Sequence, residues 1–325
     1  MKKKIYLSLS LVSALLVVSS PSVVAKSNYP DRPIKFVVPF TAGGSTDVAA
    51  RLIGQKLSER VGQSVIIENK PGAAGAIGAS YVAKSVADGY TLLTASMGIL
   101  SINPVLYKRL SYEPAADFKP VAALATAPLV LVVNPKTEIN TVAQLIEKAE
   151  KAQRSLTFST AGAGSAAHLA SELFVSMSGI SATHVPYKGA SDAAIAVAGG
   201  DVDFTFGGQA PSQPLITANR LRALATTGEQ RSPRDMSLAV VAETVKGYEV
   251  KDWHGILAPS GVSVEIINYL NAHINSILEM PDVIDSLAQQ GYETTPMSPA
   301  AFAQRIDKDR KKWAAVIDKV GLALN

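Results

Sequence analysis

Cysteine is absent from the 325-residue chain. That excludes disulfides, thiol nucleophiles and cysteine-ligated metal sites. It also excludes the cysteine that a lipid-anchored exported protein carries at its cleavage point. Histidine is scarce: His168, His184, His254 and His273 lie far apart, without the spacing of zinc ligands. No stripe of Lys and Arg of the kind that binds nucleic acid occurs. The formal net charge of +4 owes most of its excess to Lys2, Lys3 and Lys4. Taking these three from the 31 basic residues leaves 28 against 27 acidic. Beyond residue 18 no apolar run is long enough to span a membrane, which takes about 20 residues.

What the chain does have starts at its first residues. Three lysines, an apolar run over residues 5–18 and a small, polar stretch ending in Val23-Val24-Ala25 have the order of a secretory signal peptide. Residues 1–25 are therefore expected to be removed on export to the periplasm, leaving a soluble chain free of the membrane. Hydrophobic residues make up 47% of the sequence, and its length exceeds one typical domain, so two domains with their own cores are expected.

Short β-like runs alternate with helical ones, the pattern of α/β architecture. In the first half, strands are predicted at 34–38, 64–68 and 90–95, with helices at 47–61 and 75–86. The second half repeats the rhythm: strands at 156–159, 183–187 and 202–206, helices at 165–178 and 191–198. Two similar blocks argue for two similar lobes. Between them two apolar runs, 121–125 and 129–133, are broken by Pro128, and a second crossing is expected near 221–227. Helices are predicted in the tail at 264–279 and 299–320.

The most informative feature is a pair of loops built alike. Pro39-Phe40-Thr41-Ala42-Gly43-Gly44-Ser45-Thr46-Asp47 and Ser159-Thr160-Ala161-Gly162-Ala163-Gly164-Ser165-Ala166-Ala167-His168 each leave a strand and open a helix. Glycine lets a ligand approach the peptide N–H groups, and the first turn of a helix offers unpaired donors and positive potential to an anion. Ligands of open α/β sheets sit beyond the carboxyl ends of strands, where both loops fall. Neither loop holds Arg or Lys, so backbone N–H and hydroxyl groups are the expected contacts. A side chain at Gly44 or Gly164 is expected to narrow the approach to them or to forbid the backbone conformation.

Other readings of these residues are weaker. Gly162-x-Gly164-x-x-Ala167 fits a dinucleotide fingerprint, but Ala182-Thr183-His184-Val185 stands where its ribose-binding acid belongs. Ser45 and Ser165 occupy strand-to-helix turns as a nucleophile would, yet neither fits G-x-S-x-G in register, and no acid is identified to orient His168 as a base. No cofactor and no catalysis are expected. Asp47 has two roles open, favourable placement at a helix start or a ligand contact; His168 likewise could contact ligand or pack. Gly72, Gly75 and Gly78 read as a close helix-packing surface. Phe40, Ser96, Tyr187, Gly207 and Gln209, at strand ends facing the cleft, are candidate ligand contacts that could equally pack or cap.

Several segments together resemble the Bug-type, TctC-like solute-binding proteins of tripartite tricarboxylate transporters. They are Tyr29-Pro30-x-Arg32-Pro33-Ile34, the Pro39 to Asp47 loop with Arg51, Glu68-Asn69-Lys70-Pro71-Gly72 and Asp88-Gly89-Tyr90-Thr91-Leu92-Leu93. The second half adds Gly162 to His168, Val185-Pro186-Tyr187-Lys188-Gly189, Gly200-Asp201-Val202-Asp203, and Trp253-His254-Gly255 with Ala258-Pro259. The resemblance covers nearly the whole chain after residue 25. Ala74 departs from it where glycine is frequent, and Ser263 where proline is. It implies a type II periplasmic binding-protein fold: lobe 1 from 26–126 and 227–325, lobe 2 from 127–226, joined by crossover strands. It implies a monomer holding a small carboxylate between the glycine loops, partly through water, for delivery to a membrane permease. A sensing adaptor using the same cleft is the alternative.

Overall fold

The computed structural model describes residues 29–232, 235–289 and 291–322. The expected signal peptide lies outside them. In chain order, β1 (Ile34–Val38), α1 (Ser45–Val61), β2 (Val65–Asn69), α2 (Ala76–Ala83) and β3 (Thr91–Ser96) form the first block. A π-turn at Gly98–Ile102 leads through α3 (Asn103–Leu106) and α4 (Pro114–Asp117) to the long β4 (Phe118–Pro128). Then come β5 (Val130–Val133), α5 (Val142–Lys151), β6 (Leu156–Thr160), α6 (Ala166–Ser178), β7 (Ala182–Pro186), α7 (Ala190–Gly199) and β8 (Phe204–Gly207). The remainder is α8 (Gln209–Thr217), β9 (Arg222–Thr226), β10 (Ala239–Val240), β11 (Lys251–Pro259), α9 (Val264–Leu278), α10 (Pro281–Gln289), β12 (Glu293–Thr294) and α11 (Pro299–Val320).

The strands make two six-stranded mixed sheets, ordered β12-β4-β11-β3-β1-β2 and β10-β9-β5-β8-β6-β7. In each, three strands of a βαβαβ block run parallel, β2-β1-β3 in one and β7-β6-β8 in the other, the repeat expected from the sequence. Pro128 ends β4 in the first sheet, and Val130 starts β5 in the second. A proline cannot donate to a ladder, so the chain changes sheets there. The return is later than the expected 221–227. β9 and β10 both pair in the second sheet, and the chain rejoins the first only at β11. Thr227 ties the crossings together. The Leu129 N–H donates to its Oγ1 at 2.7 Å, that hydroxyl donates to the Val250 carbonyl at 2.5 Å, and Thr227 N–H donates to Leu129 O at 2.9 Å.

The tail packs back on the first sheet, with β11 between β3 and β4. On one face, Ile53 and Leu57 of α1 meet Leu270 and Ile274 of α9 over Phe36 and Ile256. On the other, α11 buries Phe302 and Trp313 in a core that continues through Tyr248 to Phe158, Phe174 and Phe206 of the second sheet. Ser263 caps α9 by accepting the Ile266 N–H, as its type predicts. The third glycine segment is a packing surface: a Cβ at Gly78 would stand 2.7 Å from Pro39, and one at Gly75 would stand 2.7 Å from Ile99. Ala74, with φ at 51°, holds a left-handed conformation that glycine adopts more cheaply.

Candidate ligand-binding site

The ends of β1, β6, β7 and β8 face one cavity between the sheets, each handing the chain to a helix. The empty space there, counted out through its open mouth, is about 570 Å³. Four helices of the described residues start at its wall: α1 at Gly44-Ser45-Thr46, α6 at Ser165-Ala166-Ala167, α7 at Ala190 and α8 after Gly208. The residues preceding α1, α7 and α8 are Gly44, Gly189 and Gly208, and none supplies a side-chain cap. Their first-turn N–H donors are therefore left to a guest or to water. Only α6 is self-capped, the Ser165 hydroxyl accepting the His168 N–H at 3.2 Å. Among the described residues no Lys or Arg lines the cavity, and its titratable residues are Asp252 and His254.

The proposed contacts divide into those that meet this space and those that shape it. Phe40, Gly44, Ser45, Ser96, Ala161, Ser165 and Gly207 line it. Thr41, Ala42 and Gly43 are not among its lining residues. A Cβ on Gly189 would lie 1.9 Å from Thr41 Oγ1, and one on Gly43 would lie 3.6 Å from Ser191 Oγ, so this loop closes against the α7 start. Gln209 turns towards Gly291, and Tyr187 lies in a separate, open groove beside Lys188 and Ala73, away from the cavity wall.

Asp47 is resolved in favour of the loop. Its buried carboxylate accepts from Gly43 N–H at 2.9 Å, Arg51 Nε at 2.8 Å and Asn69 Nδ2 at 2.9 Å. Burial alone would raise its pKa, but those hydrogen bonds outweigh burial and hold it below the usual carboxylate range. The Asp-Arg-Asn contact fixes the loop; it does not face the ligand space.

His168 and His184 do the same for the second loop. His168 is buried and does not line the cavity; its Nδ1 accepts the Gly164 N–H at 3.1 Å, so that nitrogen carries no proton. The Gly164 N–H is therefore taken within the loop, and of the two effects expected of a side chain there, the forbidden backbone conformation is the one that applies. Gly164 has φ +88°, and a Cβ would stand 2.0 Å from Asn103 Oδ1, so substitution there strains the loop itself. Gly44 has φ −75°, open to any residue. The His184 ring stacks on His168 with centroids 4.0 Å apart. Its Nε2 lies 2.6 Å from Thr160 Oγ1, which in turn accepts the Gly162 N–H at 3.2 Å. Burial, assisted by the adjacent His168, lowers the His184 pKa to about 3.

A folded pKa below the unfolded 6.5 means the unfolded chain binds the extra proton first. The stabilisation is complete above pH 6.5 and is lost as pH falls towards 3. We expect His184→Gln to flatten this acid limb. Between pH 7 and pH 4 the wild type should lose at least ~1 kcal/mol more unfolding free energy in urea titrations than the variant, a figure kept small because the ring is only half-buried. Parallel losses would show that His184 is not the group responsible.

Sequence reasoning named Gly207 and Gln209 at the α8 start but missed Gly208, the α7 start, the Leu129 and Thr205 walls, and the cavity-facing Asp252-x-His254. Asp192 in the first turn of α7 and the pair Gly207-Gly208 were the available signals. Nothing local indicated that β11 passes beneath the cleft.

Comparison with known proteins identifies the family. The family model described as tripartite tricarboxylate transporter family receptor matches residues 49–322. Protein BugT of Bordetella pertussis is 35% identical over 305 residues, covering 93% of both chains. Among solved structures, R. palustris Rpa4515 with adipate is 38% identical with a TM-score of 0.89, covering 91% of this chain and 99% of that one. The periplasmic binding protein BugD gives 32% and 0.87, with 91% and 99% covered. MatC from Rhodopseudomonas palustris with bound malate gives 28% and 0.84, with 89% and 100% covered. With the family model matching most of its length, the chain belongs to the tripartite tricarboxylate transporter receptor family, periplasmic solute-binding receptors that are not enzymes.

Proposed function

We propose that this protein binds one small carboxylate in the cavity and delivers it, as a periplasmic monomer, to the membrane permease of a tripartite tricarboxylate transporter. The observation that carries the reading is three glycine-preceded helix starts, uncapped by side chains, converging on a cavity that no cationic side chain of the described residues lines. Such starts suit an anion, because the N–H donors and the helix dipoles act together. Relatives solved with adipate and with malate support the chemical class. The two sheets are taken as two lobes that hinge at the Leu129–Thr227–Val250 crossing and close on the ligand.

Isothermal calorimetry with di-, tri- and monocarboxylates, followed by product analysis, tests this. One site per chain and unchanged ligand are expected. Consumption of the ligand at catalytic rates, or no binding across the panel, overturns the reading.

A further inference from the structure

The cavity wall carries one acid. Asp252 and His254 alternate with Trp253 along β11, so both lie on the side away from the buried indole, and both line the cavity. The Asp252 side chain keeps 15% of its surface exposed. One carboxylate oxygen accepts the Trp253 N–H at 2.8 Å, and the Met97 N–H also reaches the carboxyl. Its nearest basic partner among the described residues is His254 Nε2, at 4.0 Å, beyond hydrogen-bond length. Arg305, the other cation acting on it, is engaged by Thr126 Oγ1 at 3.2 Å. A carboxyl group has acceptor capacity for more than two N–H donors. What remains unfilled at Asp252 opens on the ligand space.

We propose that Asp252 is a specificity-determining residue that selects carboxylates carrying a second hydrogen-bond donor, a hydroxyl or an ammonium group, over the same acids without one. The inference rests on the carboxylate reading above. The helix starts take the ligand's carboxylate, and the acid on β11 takes its donor. A second ionised carboxylate placed there would meet like charge in a site shielded from solvent. His254 cannot readily relieve this as a cation, since burial, partly offset by Asp252, disfavours its charged form. A hydrogen-bond donor instead favours the ionised carboxylate, opposing the burial that raises the Asp252 pKa.

The test compares matched acids on the full mature protein by calorimetry: succinate, malate and aspartate; glutarate, 2-hydroxyglutarate and glutamate; propionate, lactate and alanine. In at least one series the hydroxy or amino acid should bind about tenfold or more tightly than its unsubstituted partner, the gain expected of one charge-assisted hydrogen bond. Asp252→Asn should reduce that preference to about threefold or less for the ammonium member and tighten the plain diacids. Asp252→Ala should abolish it. Thermal melting of each variant checks folding, and the wild-type ranking decides even if a variant fails to fold. Unsubstituted acids that bind as tightly as their partners in every series where binding is seen overturn the role of Asp252, as does a preference unchanged in folded Asp252→Asn. Failure of every acid to bind would instead sink the carboxylate reading itself.

Discussion

Gly189→Val should weaken carboxylate binding about 100-fold while leaving the ligand-free protein folded. Gly189 has φ −166°, extended backbone that valine adopts without strain, and it precedes α7 at the wall of the cavity. The obstacle comes from the other sheet. A Cβ at 189 would stand 1.9 Å from Thr41 Oγ1, 3.0 Å from Thr41 Cβ and 3.3 Å from Thr41 N. Valine must therefore push the first glycine loop away, and the N–H donors of α1 retreat from a ligand still held by the second lobe. Losing one charge-assisted hydrogen-bonded contact costs about 1.5–3 kcal/mol; 100-fold is about 2.7 kcal/mol. The unfolding free energy without ligand should fall by no more than a poorer helix cap explains, about 1 kcal/mol. Calorimetry on folded variant protein decides it. Affinity within threefold of wild type would mean that the two loops do not grip one ligand together.

Trp253→Ala should be the most damaging single truncation in the first lobe, costing about 3–5 kcal/mol of unfolding free energy. The side chain is 1% exposed. Its indole packs edge-on to Phe302 with centroids 5.3 Å apart, and its Nε1–H donates to Asp309 at 2.6 Å. Both partners belong to α11, so the cavity left behind loosens the last helix from the sheet. Trp253→Phe keeps most of the packing and loses only the donor, so it should cost about 1–2 kcal/mol. Denaturant titration measures both. A loss below about 1 kcal/mol for Trp253→Ala would show that α11 is held chiefly elsewhere.

Much of this architecture is written locally. The short β-like runs at 34–38 and 156–159 are β1 and β6, and Ser263, Ser298 and Ser165 cap the helices they precede. Helix 299–320 was legible to the residue because Ser298-Pro299 starts it and Gly321 ends it. Short elements were not. The π-turn at Gly98–Ile102 is uniformly buried, and α8 carries Pro214 within it, so neither shows an amphipathic stripe.

The candidate site divides along the same line. Sequence alone determined two glycine loops at strand ends, the lack of a cationic clamp within them, and the resemblance in order and spacing that named the family. Those are properties of contiguous residues. Tertiary structure decided which polar groups remain for a ligand. The Gly164 N–H is consumed by His168 four residues on, and Asp47 by Arg51 and Asn69, whereas the starts of α7 and α8 stay uncapped. It also brought Asp252 to the cavity from 88 residues beyond the second loop's Gly164. A donor's availability depends on every acceptor within about 3 Å, and that distance is set by how the sheets pack, which no local pattern records.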